Sequence, residues 1–279
     1  MPVRGEIAHL DASWRAALEQ IDYPPVIRDL LGEAMAAAVL LASSLKFEGG
    51  MTLQLQGGNP LTLLVVQCTS TLNLRGLAHW EGELPDNATL QDLTGGTGRM
   101  AITVEQTKSS ERYQGIVPLE GATLAECFEE YFQRSEQLPT RLFLAATDRC
   151  AAGMLLQVLP GHEDEENAWE HVTTLGQTIT TDELLELDAP NILHRLYNED
   201  DVVLFESAPV AFRCSCHRER IADMLRSLGK PEADSILEEQ GSVDVSCEFC
   251  GREYTFDAVD IEALFAGDAL PPDRSSSTH

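Results

Sequence analysis

Cys214-Ser215-Cys216 and, beyond 30 intervening residues (217–246), Cys247-Glu248-Phe249-Cys250 place four of the seven cysteines in one C-terminal stretch. Two close pairs at this separation let a small loop-and-hairpin unit bring four thiolates to one tetrahedral centre, the arrangement that zinc requires. Between the pairs, Ile221, Met224, Leu225 and Leu228 form a helical stripe stopped by Gly229 and Pro231, and Ile236-Leu237 begins a second short helix ended by Gly241. Val243 and Val245 alternate up to Cys247, and Tyr254 and Phe256 alternate away from Cys250, so the C-x-x-C is expected in the turn of a hairpin. Gly251 lets backbone amides approach the sulfurs there. A unit as short as Arg213 to Phe256 buries little apolar surface. The roughly 10 to 16 kcal/mol of apparent zinc-binding energy must therefore supply most of its folding.

Outward toward the N-terminus the text changes character. Val26 to Leu45 carries apolar residues at three- and four-residue spacing, predicting a long helix ended by Gly49-Gly50. Met51 to Leu55, Leu61 to Cys68 and Thr71 to Ala78 read as a meander of antiparallel strands, with turn residues at Gly57-Gly58-Asn59-Pro60. Met100 to Val104, Tyr113 to Pro118 and Ala151 to Leu159 read as further strands. Thr123-Leu124-Ala125-Glu126 has the spacing of a capping box, before a helix whose face is Leu124, Cys127, Phe128, Tyr131 and Phe132. These elements predict a twisted, mainly antiparallel sheet with a helix on one face. After Pro160-Gly161-His162 and the acidic run Glu163 to Glu166, short amphipathic helices follow to about Asn198, with Thr180 and Glu183 as a cap and Pro190 as an interruption. Lacking a core of their own, they must lean on a neighbour. The expected class is α+β: a core over 1–165, a helical linker over 166–212, a zinc-binding redox-switch domain over 213–266 and a disordered tail over 267–279.

Composition narrows function. The 19 basic and 46 acidic side chains give −27, a field that repels phosphate backbones and anionic membranes. The cysteine unit is itself acidic, with six Lys and Arg against nine Asp and Glu from Arg213 to Tyr254, so a zinc-ribbon nucleic-acid adaptor is disfavoured. Met1 to Glu6 shows no basic segment followed by an apolar stretch, and Ala34 to Leu45 is too short to span a bilayer, so a cytoplasmic protein is expected. In that compartment close cysteine pairs read as metal ligands or redox centres. No Ser-His-Asp set, phosphate-binding loop or dinucleotide fingerprint is found. Gly95-Gly96-Thr97-Gly98 lacks the Lys-Ser or Lys-Thr of such a loop and reads as a turn. No enzyme activity is expected, and a thiol oxidoreductase would need its C-x-x-C to open a helix rather than to sit in a hairpin.

Zinc holds sulfurs as thiolates, the form that peroxide or hypochlorous acid attacks. A sulfenic acid can be resolved by its near partner, giving Cys247 to Cys250 or Cys214 to Cys216, and a disulfide sulfur is no longer a useful ligand. Folding energy is then lost, and the leaning helices expose apolar faces. The alternatives at this point are an inert structural zinc knuckle and four free core cysteines. His217 could replace a ligand but points away in a tight C-x-C turn, and reads as a solvated histidine. Cys68 and Cys127 read as small core hydrophobes. Cys150, beside Asp148-Arg149, is expected to be exposed, with no resolving partner nearby in sequence.

These residues, with Tyr113-Gln114-Gly115-Ile116-Val117-Pro118-Leu119-Glu120-Gly121, Tyr131-Phe132-Gln133-Arg134-Ser135-Glu136-Gln137-Leu138-Pro139-Thr140 and Leu156-Gln157-Val158-Leu159-Pro160, resemble the 33 kDa chaperonin family, the redox-regulated holdase heat-shock proteins of bacteria. The resemblance covers nearly the whole chain. It implies an α/β core, a helical linker and a zinc domain whose ligands correspond to Cys214, Cys216, Cys247 and Cys250, with one Zn2+ per chain in the reduced state. It also implies an ATP-independent chaperone that is inactive when reduced. On oxidation it would form a disulfide within each close pair, release zinc, unfold its linker, bind unfolding client proteins and tend to form a homodimer. The chain starts close to Val3-Arg4-Gly5-Glu6 without the stretch that usually precedes this segment in the family, so an edge strand of the core is expected to be absent or replaced. His217 stands where many relatives have serine, which is expected to raise the positive field near the sulfurs when protonated without altering ligation.

Overall fold

The computed structural model describes residues 3–19, 21–85, 87–108, 112–161 and 166–266. The expected disordered tail and most of the acidic run from Glu163 lie outside them. The chain divides into two compact units, the first ending at Arg213 and the second beginning at Cys214.

In the first unit, β1 (Val3–Leu10), β7 (Thr140–Ala146) and β8 (Ala151–Val158) form an antiparallel sheet in the order β1-β8-β7. β1 forms one edge of this sheet. A second, six-stranded sheet has the order β6-β5-β2-β3-β4-β9, built from β2 (Gly49–Gln56), β3 (Leu61–Thr69), β4 (Asn73–Trp80), β5 (Arg99–Gln106), β6 (Arg112–Pro118) and the two-residue β9 (Ala211–Phe212). Only β9 runs parallel to its neighbour, β4. Register is set by the apolar alternation: Leu53 of β2 stands opposite Val66 of β3 on one side and Ile102 of β5 on the other, all three buried.

The long helix is α2 (Pro25–Ser44), preceded by α1 (Ala12–Leu18). It contacts strands of both sheets and is apolar nearly all round, with Ile27, Leu31, Met35, Val39 and Leu41 all buried. A single sheet with one covering helix is thus corrected to two sheets with α2 between them. The packing is close enough that a Cβ at Gly32 would lie 2.5 Å from the Cβ of Ala146. The helix ends at Ser44, where the Leu45 N–H donates to the Leu41 carbonyl; Gly49 and Gly50 instead open β2.

α3 (Leu90–Thr94) and α4 (Leu124–Tyr131) complete the body of the unit, α4 continuing into a π-helical turn at Phe132–Glu136. At α4 the Thr123 side chain accepts from the Glu126 N–H, but the Glu126 carboxylate takes the Ala122 N–H at 2.6 Å, so the reciprocal arm of the expected capping box falls one residue early. α5 (Glu166–Gly176), α6 (Thr181–Glu186) and α7 (Ala189–Tyr197) follow. Thr180 and Glu183 form a complete capping box, whereas Pro190 opens α7 rather than interrupting it, Asp188 capping by accepting from the Asn191 N–H. The neighbour these helices need is the β1-β8-β7 sheet. Val172, Leu184, Leu185, Ile192 and Leu196 pack with Ala145, Ala152, Met154 and Leu156, while the adjacent strand positions Ala151 and Leu155 face the α2 cluster. Every residue of β8 is consequently buried.

The second unit contains α8 (Arg218–Leu228), α9 (Lys230–Gln240), the hairpin β10 (Val243–Ser246) and β11 (Glu253–Phe256), and α10 (Ala258–Ala266). Its core is small: Ala222, Leu225, Ala233, Val243, Tyr254, Phe256, Ile261 and Leu264. Met224 and Leu228, expected in the inner stripe of α8, are about half exposed, at 48% and 51%, and Ala222 takes the inner position. Pro231 lies in the first turn of α9, so that helix starts earlier than Ile236.

Candidate metal centre

The four cysteines hang on two local structures. Cys214 and Cys216 immediately precede α8, whose N-cap is His217: its Nδ1 accepts the Arg220 N–H at 3.3 Å. The exposed ring is thus a cap rather than only a solvated side chain, and the Arg220 guanidinium donates to Ser215 Oγ at 2.9 Å, tying the C-x-C turn to the helix. Cys247 and Cys250 occupy the turn between β10 and β11, as their flanking alternation predicts. The Cys250 and Gly251 N–H groups both donate to the Cys247 carbonyl, at 3.2 and 2.7 Å, and the Cys247 N–H donates to Arg252 O at 2.9 Å. This curl needs a left-handed residue at its exit, which Gly251 supplies with φ of 65°.

Together these turns bring the Sγ atoms of Cys214, Cys216, Cys247 and Cys250 within 4.8 Å of one another. Across the motifs, Cys214 Sγ lies 3.6 Å from Cys247 Sγ and Cys216 Sγ lies 3.4 Å from Cys250 Sγ. Four sulfurs at about 2.3 Å from a central zinc have tetrahedral edges of about 3.8 Å, so the observed cluster matches that cage closely. Burial raises the Cys247 and Cys250 thiols above their ordinary range, and neighbouring thiols raise them further. Sulfurs so crowded keep their protons unless a cation balances the charge. The donor set therefore fits a single thiophilic ion and could hold one.

The remaining cysteines stand apart. Cys68 and Cys127 are buried in the first unit's core, where burial pushes their thiols up to about 12 and about 11. Cys150 is half-buried rather than exposed, its Sγ 3.6 Å from the Leu185 carbonyl. Gly95 and Gly96, both in the left-handed region, close α3, the Gly96 N–H donating to Gln91 O; this is a helix stop and not a phosphate cradle. Sequence reasoning passed over Glu33, a carboxylate one turn after Asp29 in the mainly apolar α2. It lines a cavity on which α4, β7 and α6 also border. Its signal was an acid set between Leu30, Leu31 and Ala34 on the run that builds the apolar face.

Among the described residues, no helix is long and apolar enough to cross a membrane. A family model described as Hsp33 protein matches residues 1–257. Similar curated proteins include the 33 kDa chaperonin of Nitrosococcus oceani, 48% identical over 274 residues covering 98% of this chain and 94% of that protein. The 33 kDa chaperonin of Shewanella denitrificans is 49% identical over 267 residues, covering 96% of this chain and 92% of its own. The crystal structure of the 33 kDa chaperonin (heat shock protein 33 homolog) from Thermotoga maritima shares the fold, with a TM-score of 0.82 at 24% identity over 95% of this chain and 94% of that one. With the family model matched across both units and relatives near half identity along almost the entire length, the chain belongs to the Hsp33 family.

Proposed function

We propose that this protein is a redox-regulated, ATP-independent holdase of the cytoplasm, which captures unfolding proteins when its cysteine cluster is oxidised and has no catalytic turnover of its own. The observation that carries this reading is the close approach of four cysteine sulfurs, within 4.8 Å, in a chain of the Hsp33 family. Zn2+ held by Cys214, Cys216, Cys247 and Cys250 would keep the sulfurs as thiolates and contribute most of the folding energy of a unit whose own core is eight residues.

Oxidation then proceeds on the protein's own atoms. A cysteine thiolate attacks peroxide, breaking the O–O bond and releasing hydroxide, and becomes a sulfenic acid. The neighbouring thiolate attacks that sulfur, the S–O bond breaks, hydroxide leaves, and a disulfide remains. Two peroxides thus convert four thiolates into two disulfides, which we assign to Cys214 with Cys216 and to Cys247 with Cys250. Near neighbours in sequence remain near when the unit loosens, whereas the cross-motif contacts depend on the fold being intact. Loss of the second unit's fold runs back along the coil from 199 to 210, and α5 to α7 leave the β1-β8-β7 sheet, baring apolar surface on both. Client segments bind there, and two oxidised copies associate through the same kind of surface. The acidic surface keeps nucleic acid away.

The test treats the reduced protein with peroxide at mild heat while following zinc with a chromogenic chelator, free thiols by titration, disulfides by peptide mapping, and light scattering of a heat-labile client. Zinc release, loss of four thiols and suppressed scattering are expected together, with the two disulfides mapping within the pairs. Zinc release with no gain in suppression overturns the holdase reading, and disulfides that join the pairs overturn the pairing.

A further inference from the structure

The cavity lined by Glu33, about 550 Å³ in volume, combines apolar walls with one sign of charge. Leu30, Leu90, Leu142, Ile179 and Leu184 contribute to its walls. Its charged lining residues are Asp29 and Glu33, one turn apart on α2, and no Lys, Arg or His lines it among the described residues.

The remaining polar groups are mostly committed. Thr89, Thr123 and Thr180 each cap a helix, accepting the N–H of Asp92, Glu126 and Glu183 respectively. Asp29 accepts from the Arg28 guanidinium at 2.8 Å, outside the cavity lining. Glu33 makes no hydrogen bond or ion pair among the described residues. Its side chain is half-buried against the cavity wall, and this desolvation, with the Asp29 charge adding to it, pushes the group up to about 7. A carboxylate in such a place costs stability unless a positive partner reaches it.

The shape of the partner follows from the lining. A divalent metal ion asks for six or more oxygen ligands, and two carboxylates among leucines do not supply them. An ammonium on an aliphatic chain fits both halves, with three N–H donors for the acids and methylenes for the apolar walls. The volume lies within the usual range for small-molecule sites. We propose that this cavity is a binding site for a primary aliphatic ammonium, its charged end held by Glu33 and Asp29 and its methylenes lying against Leu30, Leu142 and Leu184. Two sources share that chemistry: a free diamine, or a lysine side chain of a polypeptide. Because Thr181 and Leu184 bring α6 to the wall, an occupant binds best when that helix is seated, and by linkage it holds the helix in place.

The test is calorimetric titration of the full-length reduced protein with 1,5-diaminopentane at pH 8, beside Nα-acetyl-lysine amide and, as a neutral control, 1-pentanol. One saturable amine site is expected, absent for the alcohol and weakened at least tenfold at pH 6, where Glu33 gains its proton while the amine keeps its charge. Among the described lining residues the other titratable group facing Glu33 is Asp29, which is paired with Arg28. Glu33→Gln is expected to abolish the site. Preference for the diamine assigns a free amine, and preference for the lysine derivative assigns a polypeptide. No saturable binding at pH 8, or binding that Glu33→Gln leaves unchanged, overturns the proposal. Should Glu33→Gln fail to fold, Asp29→Asn and the parent's pH profile decide, and equal affinity at pH 6 and pH 8 overturns it. Client capture is not measured in any arm, so the result stands apart from the holdase reading.

Discussion

Glu33 ties the stability of the first unit to pH. Its proton is held more tightly in the folded chain, at about 7, than at the ordinary value of 4.5, so the stabilising contribution is complete below about 4.5 and is lost as the pH rises through about 7. The difference is worth at most about 3 kcal/mol at pH 8. Urea midpoints of Glu33→Gln are expected to vary less between pH 5 and pH 8 than those of the parent, leaving a shallower slope of the same sign from Glu6 and Glu129, which burial also raises. A slope as steep as the parent's would place the effect elsewhere. Burial likewise makes Cys68 and Cys127 poor nucleophiles, so iodoacetamide at pH 8 is expected to spare both in the folded protein and to modify all seven cysteines once the chain is unfolded, as read by mass spectrometry. Cys247→Ser removes one of four sulfur donors. Its expected result is weaker zinc retention against a competing chelator and faster amide exchange throughout α8 to α10, and unchanged retention would separate Cys247 from the metal. The cysteine site was legible because each pair is local in sequence and the flanking Val243, Val245, Tyr254 and Phe256 announce a hairpin. The Glu33 cavity was not, because its walls come from helices and a strand remote from one another along the chain.

At the scale of elements, α6 is the shortest of the three helices that cover the β1-β8-β7 sheet, and its end is fixed by side chains. Thr180 Oγ1 accepts the Glu183 N–H at 3.2 Å, Glu183 accepts the Thr180 N–H at 2.9 Å, and Arg195 of α7 donates to the same carboxylate. Thr180→Ala is expected to cost about 1 kcal/mol and to speed amide exchange in α6 before that in α2. Equal exchange in both helices would mean that the cap does not control the docking of α6. This box was readable from spacing, and α2 from its period. β1 and β7 were not. Arg4 and Glu6 break the apolar pattern of β1, and only the fold gives Arg4 the Gln157 side chain to pair with. In β7, Arg141 stands beside buried Leu142 because Glu129 of α4 reaches it at 2.7 Å. Tertiary partners thus license charged residues that a strand template rejects. The same blindness hid the position of α2: periodicity reports that a helix has an apolar face, but not that a second sheet awaits its other side.

At the scale of the molecule, the two units have separate cores, and only the smaller is expected to need metal in order to fold. A zinc chelator with reductant present should abolish the smaller unit's thermal transition and lower, without abolishing, that of the larger unit, whose α5 to α7 are then free to leave the sheet. A single transition that moves as a whole would contradict independent cores. The larger unit carries a further consequence in β8, buried on both faces. Its inner neighbour, α2, belongs to the permanent interior, but its outer neighbours, α5 to α7, are tethered pieces of the same chain. Such a tether acts as a competitor that never diffuses away, present at an effective concentration on the order of millimolar. Any incoming polypeptide must displace it. Affinity for strangers is therefore set as much by the grip of Leu184 and Ile192 as by the strand beneath them, and trimming either side chain should lower the threshold for capture without altering the surface that does the capturing.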